Sequence, residues 1–380
     1  MANDAVAGNA TRVAAAVPGD GDDPVRAVLA AYTHDLVTAV HETLTTFLTA
    51  EVNSLTEVDT SMGSFAAAAR EAVLAGGKRI RSTFAYWGWR GAVGGAEPLP
   101  PVLPALAALE LLHTFALVHD DVMDASKTRR GRPTAHIALA EQHIAAGHRG
   151  DPERFGEAVA VLIGDLCMVW ADRLLAHATV SPARLFEVRR CYDQMRVETV
   201  AGQYLDVLGE NDPVSWSVDR ALRVARYKTA SYTVQRPLLF GACLAGVPAD
   251  DPLASAYTRY GLAVGEAFQL RDDLLGVYGD PAATGKPAGD DLRTGKPTTL
   301  LMLAQELATP AQFRALERAA DGPVDRLAEL VAETGAVARV ERMIAERVSD
   351  ALVALDTAPV DRTARTALTG LATAVTNRRA

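Results

Sequence analysis

Cysteine is scarce in this chain, and none of the three residues, Cys167, Cys191 and Cys243, stands in a C-x-x-C pair. That spacing argues against a disulfide framework and a zinc site, leaving three buried reduced thiols as the expectation. Positive charge is not in excess either: the net charge is -9, which argues against a nucleic-acid backbone as the main partner. No window reaches the uncharged apolar length of a membrane span. The first residues, MANDAVAGNATRV, lack a basic start followed by an apolar run, so no secretory signal is read there. Together these absences predict a soluble, cytoplasmic protein. Alternating strand patterns bounded by turn pairs are missing as well, and there is no internal repeat.

What remains is helical. Hydrophobic residues make up 49% of 380, enough for a sizeable core. Residues 1–24 are rich in Ala, Gly, Asp and Pro and are expected to be disordered, with one domain over 25–380. Within that domain, apolar residues recur at three- and four-residue steps, as in ALAALELLHTFALVHDDVMD and EAVAVLIGDLCMVWADRLLAHA. Several such segments are apolar almost all round, the mark of central helices in a large bundle. Breaks are expected at 94–104, 148–152, 209–213, 246–252 and 279–297, where Gly and Pro cluster. The predicted fold class is all-α.

Two acidic pairs stand out because both lie on apolar helices. In the first, Asp120-Asp121 with Asp124, the i,i+4 spacing projects Asp120 and Asp124 from one face, one turn apart. Carboxylates that close repel one another unless a cation sits between them, and magnesium commonly joins one or two carboxylates to substrate phosphates. An isolated DDxxD is usually a solvated helix end; the apolar helix before this one weakens that reading. The second pair, Asp272-Asp273, shares a helix face with Gln269. Two apolar helices each carrying Asp-Asp are hard to explain as coincidence. Facing each other, they would hold magnesium around a diphosphate.

An acidic protein that binds anions also needs local cations. Gly76-Gly77-Lys78-Arg79-Ile80-Arg81 sets two permissive glycines before Lys78 and Arg81, where backbone amides would add to anion binding. Arg129-Arg130 follows the first acidic pair, and Lys228-Thr229 sits within RYKTASYT. Each alone reads as a solvated surface charge; together they would serve a second, metal-free diphosphate.

In order and spacing, GGKRIR, LELLHTFALVHDDVMD…TRRGRPTAH, KTASYT and FQLRDDLLG resemble the motifs of the trans-isoprenyl diphosphate synthases (polyprenyl synthetases), most like the geranylgeranyl diphosphate synthases. The resemblance covers roughly residues 70–300 motif by motif. It implies a single-domain helical bundle around a central cavity, a homodimer, and two substrates, isopentenyl diphosphate and an allylic diphosphate. It implies Asp120, Asp124 and Asp272 as magnesium ligands, supported by Asp121 and Asp273, with three ions around the bound diphosphate. Arg129, Lys228, Thr229, Gln203, Gln269 and Lys296 would hold the allylic diphosphate. Lys78, Arg81, His113 and Arg130 would hold isopentenyl diphosphate. The implied chemistry departs through an allylic carbocation, with the released diphosphate as base and segment 279–297 as a lid against water.

The chain departs from the family pattern twice. Gly276 stands where the second acidic region has its third aspartate, and Asp280 or Asp290 is the expected substitute. Ser82 replaces a proline and is expected to matter little. Product length is implied as C20, from Phe115 with small Ala116 and Leu112 before the first pair; by helix angle Ala116 faces the pocket better than Phe115. The alternatives are a farnesyl (C15) synthase, a class I terpene cyclase and a non-catalytic regulatory subunit. A cyclase needs a second metal motif on one helix, and Asn211, Ser215 and Asp219 fit its spacing, but Pro213 interrupts it. A regulatory subunit would lack one acidic pair. Thr294-Gly295-Lys296 suggests a phosphate loop, but Pro297 stands where Ser or Thr is required.

Overall fold

The computed structural model describes residues 24–95, 97–212, 216–280, 289–320 and 322–377. The expected N-terminal extension lies outside the described residues except for Pro24, as does the 281–288 part of the expected lid.

Several helices, though not all, begin at a side-chain cap. The chain opens with α1 (Pro24–Val58), α2 (Met62–Leu74), α3 (Ile80–Val93) and α4 (Leu103–Met123). A two-residue hairpin follows, β1 (Thr128–Arg129) against antiparallel β2 (Arg132–Pro133), with Arg129 opposite Arg132. Its turn residues Arg130 and Gly131 have φ of 54° and 72°. A two-residue hairpin of the right twist requires positive φ at both positions, and glycine supplies one of them without strain. Then come α5 (Ala135–Ala145), α6 (Pro152–Leu175) and α7 (Pro182–Asn211). Asp151 caps α6 by accepting from Glu153 N–H at 2.9 Å, Ser181 caps α7, and Pro occupies the first turn of each.

After α7, α8 (Val218–Val224), a π-helical segment (Ala225–Gln235) and α9 (Arg236–Leu244) run on without a break in helical backbone. Pro237 at the junction has no N–H to donate to the preceding turn, and the wide π coil lies immediately before it. The remainder is α10 (Pro252–Tyr278), α11 (Asp290–Arg293), α12 (Thr299–Leu307), α13 (Pro310–Ala319), α14 (Val324–Glu333), α15 (Ala336–Asp356) and α16 (Arg362–Thr376).

The main core gathers Trp89, Trp170, Tyr192, Tyr257, Tyr260, Phe84 and Phe240, all essentially solvent-free. α4 is buried along most of its length, packed on α6, α3 and α1. A second apolar cluster joins the end of α10 to α12, α14 and α15. The π segment is clasped between α7 and α10 at glycines. A Cβ on Gly202 would lie 2.4 Å from Lys228 N, and one on Gly265 would lie 2.4 Å from Ala230 Cα. No helix of the described residues is long and apolar enough to cross a membrane.

Candidate active site

The C-terminal ends of α4 and α10 open onto one cavity of about 830 Å³, and Asp120, Asp124, Asp272 and Asp273 all line it. The facing of the two acidic helices, read from the sequence as a condition, is met. Asp120 is enmeshed: Lys228 Nζ donates to its Oδ1 at 2.9 Å, Gln203 Nε2 at 3.0 Å, and Arg129 lies 3.4 Å from Oδ2. Burial opposes its ionisation, but Lys228, then Arg129 and Lys296, outweigh it and hold the carboxyl below its usual range. Asp124 has no such partner. Burial, with the Asp120 charge beside it, pushes its carboxyl up to about 6.

Asp121 does not line the cavity. It is buried behind the pair and accepts from Arg129 Nε at 2.8 Å, so its role in this structure is to aim that guanidinium, not to face a metal. Helix geometry turns Asp121 about 100° away from Asp120, so any support it gives the ligands acts through Arg129.

On α10, Asp273 is buried, accepting from Gln269 Nε2 at 2.8 Å and Thr299 N–H at 3.1 Å, and burial pushes it up to about 7. Gln269 Oε1 accepts from Thr229 Oγ1 at 2.6 Å, tying α10 to the π segment. The missing third aspartate is answered from elsewhere. A Cβ built on Gly276 would lie 2.6 Å from Asp291 Oδ2, so the Asp291 carboxylate occupies the space a side chain at 276 would need. Asp291 lines the cavity, and its charge acts on Asp273. The expected substitute Asp280 is exposed and lines nothing here, and the side chain of Asp290 lies outside the described residues.

Between the acidic walls stand Lys228 and Lys296. Lys296 Nζ reaches Asp206 at 2.9 Å and Glu210 at 3.1 Å, and Lys228 is also paired with Asp206. Asp206 and Glu210 on α7 were not singled out in the sequence; their carboxylates and that of Asp124 lie within 4.8 Å of one another. The signal was there in GQYLDVLGE, where Gln203, Asp206 and Glu210 recur at helical spacing.

A cationic end completes the cavity. Lys78, Arg81, His113 and Arg130 all line it, with Gly76 and Gly77. Gly76 and Gly77 take φ of 88° and 148°, and Arg130 lies across them, donating to Gly76 O. Arg79 lines the cavity too, but its buried guanidinium is paired with Glu110 at 3.1 Å. Glu110 also accepts from Ser82 Oγ at 2.7 Å and Ser82 N–H at 3.3 Å. Ser82 therefore does more than was expected of it, since a proline would supply neither donor. Arg81 lies 4.1 Å over the Tyr232 ring and donates to Thr233 at 2.9 Å. Burial, then Arg81, Arg130 and Arg129, holds His113 well below its usual range and so neutral, with its Nδ1 buried and unpartnered.

Of the three chain-length residues only Ala116 lines the cavity. Leu112 is in the core, and Phe115 lies edge-on to His119, 4.8 Å between ring centres. Phe115 is turned about 100° from Ala116, which shares the Asp120 face, as the helix angle led us to expect. The cyclase pattern fails in the fold, for Asn211 ends α7 and Asp219 sits in the first turn of α8, while Ser215 lies outside the described residues.

The donor set fits magnesium. It is all oxygen, drawn from facing carboxylates, and two of those, Asp124 and Asp273, are pushed up chiefly by burial and then by neighbouring carboxylates, a crowding that a divalent cation relieves.

Comparison with known proteins agrees. The polyprenyl synthetase family model matches residues 63–333. Geranylgeranyl diphosphate synthase of Mycobacterium tuberculosis is 37% identical over 288 residues, 73% of this chain and 75% of that protein. Geranylfarnesyl diphosphate synthase of Aeropyrum pernix is 32% identical over 74% of this chain and 84% of that one. The crystal structure of geranylgeranyl pyrophosphate synthase from Corynebacterium glutamicum, complexed with isoprenyl diphosphate and magnesium, superposes with a TM-score of 0.85 at 40% identity. It covers 90% of this chain and 98% of that one.

Proposed function

This chain belongs to the polyprenyl synthetase family, as a trans-prenyl diphosphate synthase, and from that premise we propose that its product is geranylgeranyl diphosphate, C20. The observation that carries the reading is the single cavity where Asp120, Asp124, Asp272 and Asp291 face one another at one end and Lys78, Arg81 and Arg130 gather at the other. Two anionic substrates need two such ends.

Magnesium, when bound, neutralises the diphosphate oxygens of the allylic substrate, and we assign three ions to the site. Lys228, Lys296 and Arg129 hold the same diphosphate, with Gln203, Gln269 and Thr229 fixing the carboxylates and cations around it. The allylic C1–O bond breaks and diphosphate leaves with the electron pair. Isopentenyl diphosphate, held by Lys78, Arg81, His113 and Arg130, offers its C3–C4 π electrons to form the new C4–C1 bond. The proton on its C2 passes to an oxygen of the departed diphosphate. Neutral His113 adds a hydrogen-bonding group without a further charge.

The cytoplasm is the proposed place of work and a second copy of the chain the proposed partner. The C20 reading rests on small Ala116 at the wall beneath Asp120, supported by the two relatives named geranylgeranyl synthases. The test is labelled isopentenyl diphosphate with each allylic primer and magnesium, followed by chain-length analysis. A C20 product is expected, and Ala116→Phe is expected to shorten it by at least one isoprene unit, more than Phe115→Ala lengthens it. Products of C25 and above from the native chain would refute C20. A hydrocarbon formed from geranylgeranyl diphosphate alone would favour a cyclase.

A further inference from the structure

Far from the cavity, the fold joins two cysteines that the sequence leaves 52 positions apart. Cys191 lies on α7 and Cys243 on α9, and both line a second cavity, about 470 Å³, together with Arg190, Arg236, Gln194 and Leu239. Each is half-buried, whereas Cys167 is wholly enclosed. The two thiols are within hydrogen-bonding reach of each other, and that contact is the largest influence on both: it pushes Cys191 well above the usual thiol range and holds Cys243 below it. Arg190 and Arg236 add to the depression at Cys243. Two half-buried sulfurs thus share one cavity with two guanidiniums lining it, the setting in which a thiolate is favoured and a second thiol stands ready to resolve it.

We propose that Cys191 and Cys243 are a reversible dithiol–disulfide site, oxidised by hydrogen peroxide entering the second cavity. The Cys243 thiolate attacks one peroxide oxygen, the O–O bond breaks, hydroxide leaves, and Cys243 becomes a sulfenic acid. The Cys191 sulfur then attacks the Cys243 sulfur, the S–O bond breaks, and hydroxide departs with the Cys191 proton as water. Two thiols lose two electrons, peroxide gains them, and two waters form. A low-molecular-weight thiol reverses the step by exchange. Neither cysteine lines the main cavity. The consequence is mechanical: α9 continues directly into the π segment carrying Lys228, and α7 carries Gln203 and Asp206, so the bond staples together the two helices that present these groups.

The experiment is a thiol count and peptide map of the full-length protein before and after peroxide. The expected result is loss of two of the three titratable thiols, an intrachain linked peptide pair containing Cys191 and Cys243, and full recovery with dithiothreitol. In Cys191→Ser, Cys243 is expected to accumulate as sulfenic acid and to take a dimedone label, a readout that does not depend on activity. Independent alkylation of both cysteines after peroxide, or a linkage found only between chains, would overturn the proposal. The map on the native protein decides the matter even where the variant folds poorly.

Discussion

Asp291 sets a carboxylate against α10 where a side chain at Gly276 would have stood, and it does so from the neighbouring α11. Its carboxylate already fills the volume over the glycine, so any Cβ there must displace it. The expected outcome is that Asp291→Asn weakens magnesium binding in the presence of inorganic diphosphate by about tenfold or more, the usual scale for a metal's supporting shell. Asp280→Asn is expected to leave it unchanged, because Asp280 is exposed and outside the cavity lining. Calorimetric titration checks both; equal losses for the two variants would return the role to Asp280. A second expectation follows from Asp124, pushed up to about 6, and Asp273, pushed up to about 7. A carboxyl raised in the folded state favours the neutral form there. Its contribution to stability is present below the ordinary value of 3.8 and is lost as pH rises through about 6 and about 7. The metal-free protein should therefore lose melting temperature across that window, and magnesium should restore it while driving protons off. Titrations in buffers of different ionisation enthalpy measure the release. Heats that are the same in every buffer at pH 6 would mean that neither carboxyl titrates on binding.

At the scale of elements, the π-helical segment governs where Lys228 and Thr229 point, and it keeps its place because two neighbouring helices offer glycine. Gly202→Ala would set a methyl 2.4 Å from Lys228 N and 2.6 Å from Tyr227 C, contacts with backbone that no rotamer change relieves. Overpacking of that kind costs about 1–3 kcal/mol. It also moves the ammonium that pairs with Asp120 and Asp206. The variant is expected to lose both melting temperature and kcat. Gly370→Ala on α16, with open space around it, is the control and should be neutral or stabilising by about 0.5–1 kcal/mol. Should Gly202→Ala keep native kcat, the tight seating of the π segment would not be what positions Lys228. None of this was legible in the sequence. KTASYT reads as ordinary helix, and a π coil differs from an α coil in hydrogen-bond step, which residue types report only weakly. The caps were legible by contrast: GDP, SP and DDP each start a helix at the proline. In GENDP the break falls at Asn211 and not at the glycine: Gly209 stays helical and its bare face takes the Trp216 ring, a contact across the turn that residue types do not report.

Over the whole molecule, what the sequence made plain was what repeats along one helix: the facing acidic pairs, the basic clusters and the apolar stripes that bury α4. What it hid was what depends on a neighbour, such as Asp206, Glu210 and Asp291, or the pairing of Cys191 with Cys243. Surface stripes belong to the first class, and two of them have no partner among the described residues. α6 exposes Leu162 and Val169, while α7 exposes Phe186, Val197, Val200 and Tyr204, each more than half accessible. Spacings of three, four and seven residues put each set on a single helix face, the pattern of a buried stripe left bare. A second copy of the chain, the partner proposed above, is the occupant that would cover both stripes at once, since a two-fold axis brings each face against itself. Sedimentation should therefore give about twice the 40.3 kDa chain mass, and Leu162→Asp with Val197→Asp should shift it to the monomer by leaving charges unpaired in an apolar contact. Neither residue lines the cavity, so a monomeric variant that still binds magnesium with diphosphate would separate assembly from site formation. A native chain that sediments as a monomer at micromolar concentration would leave these stripes to another partner and end the dimer reading.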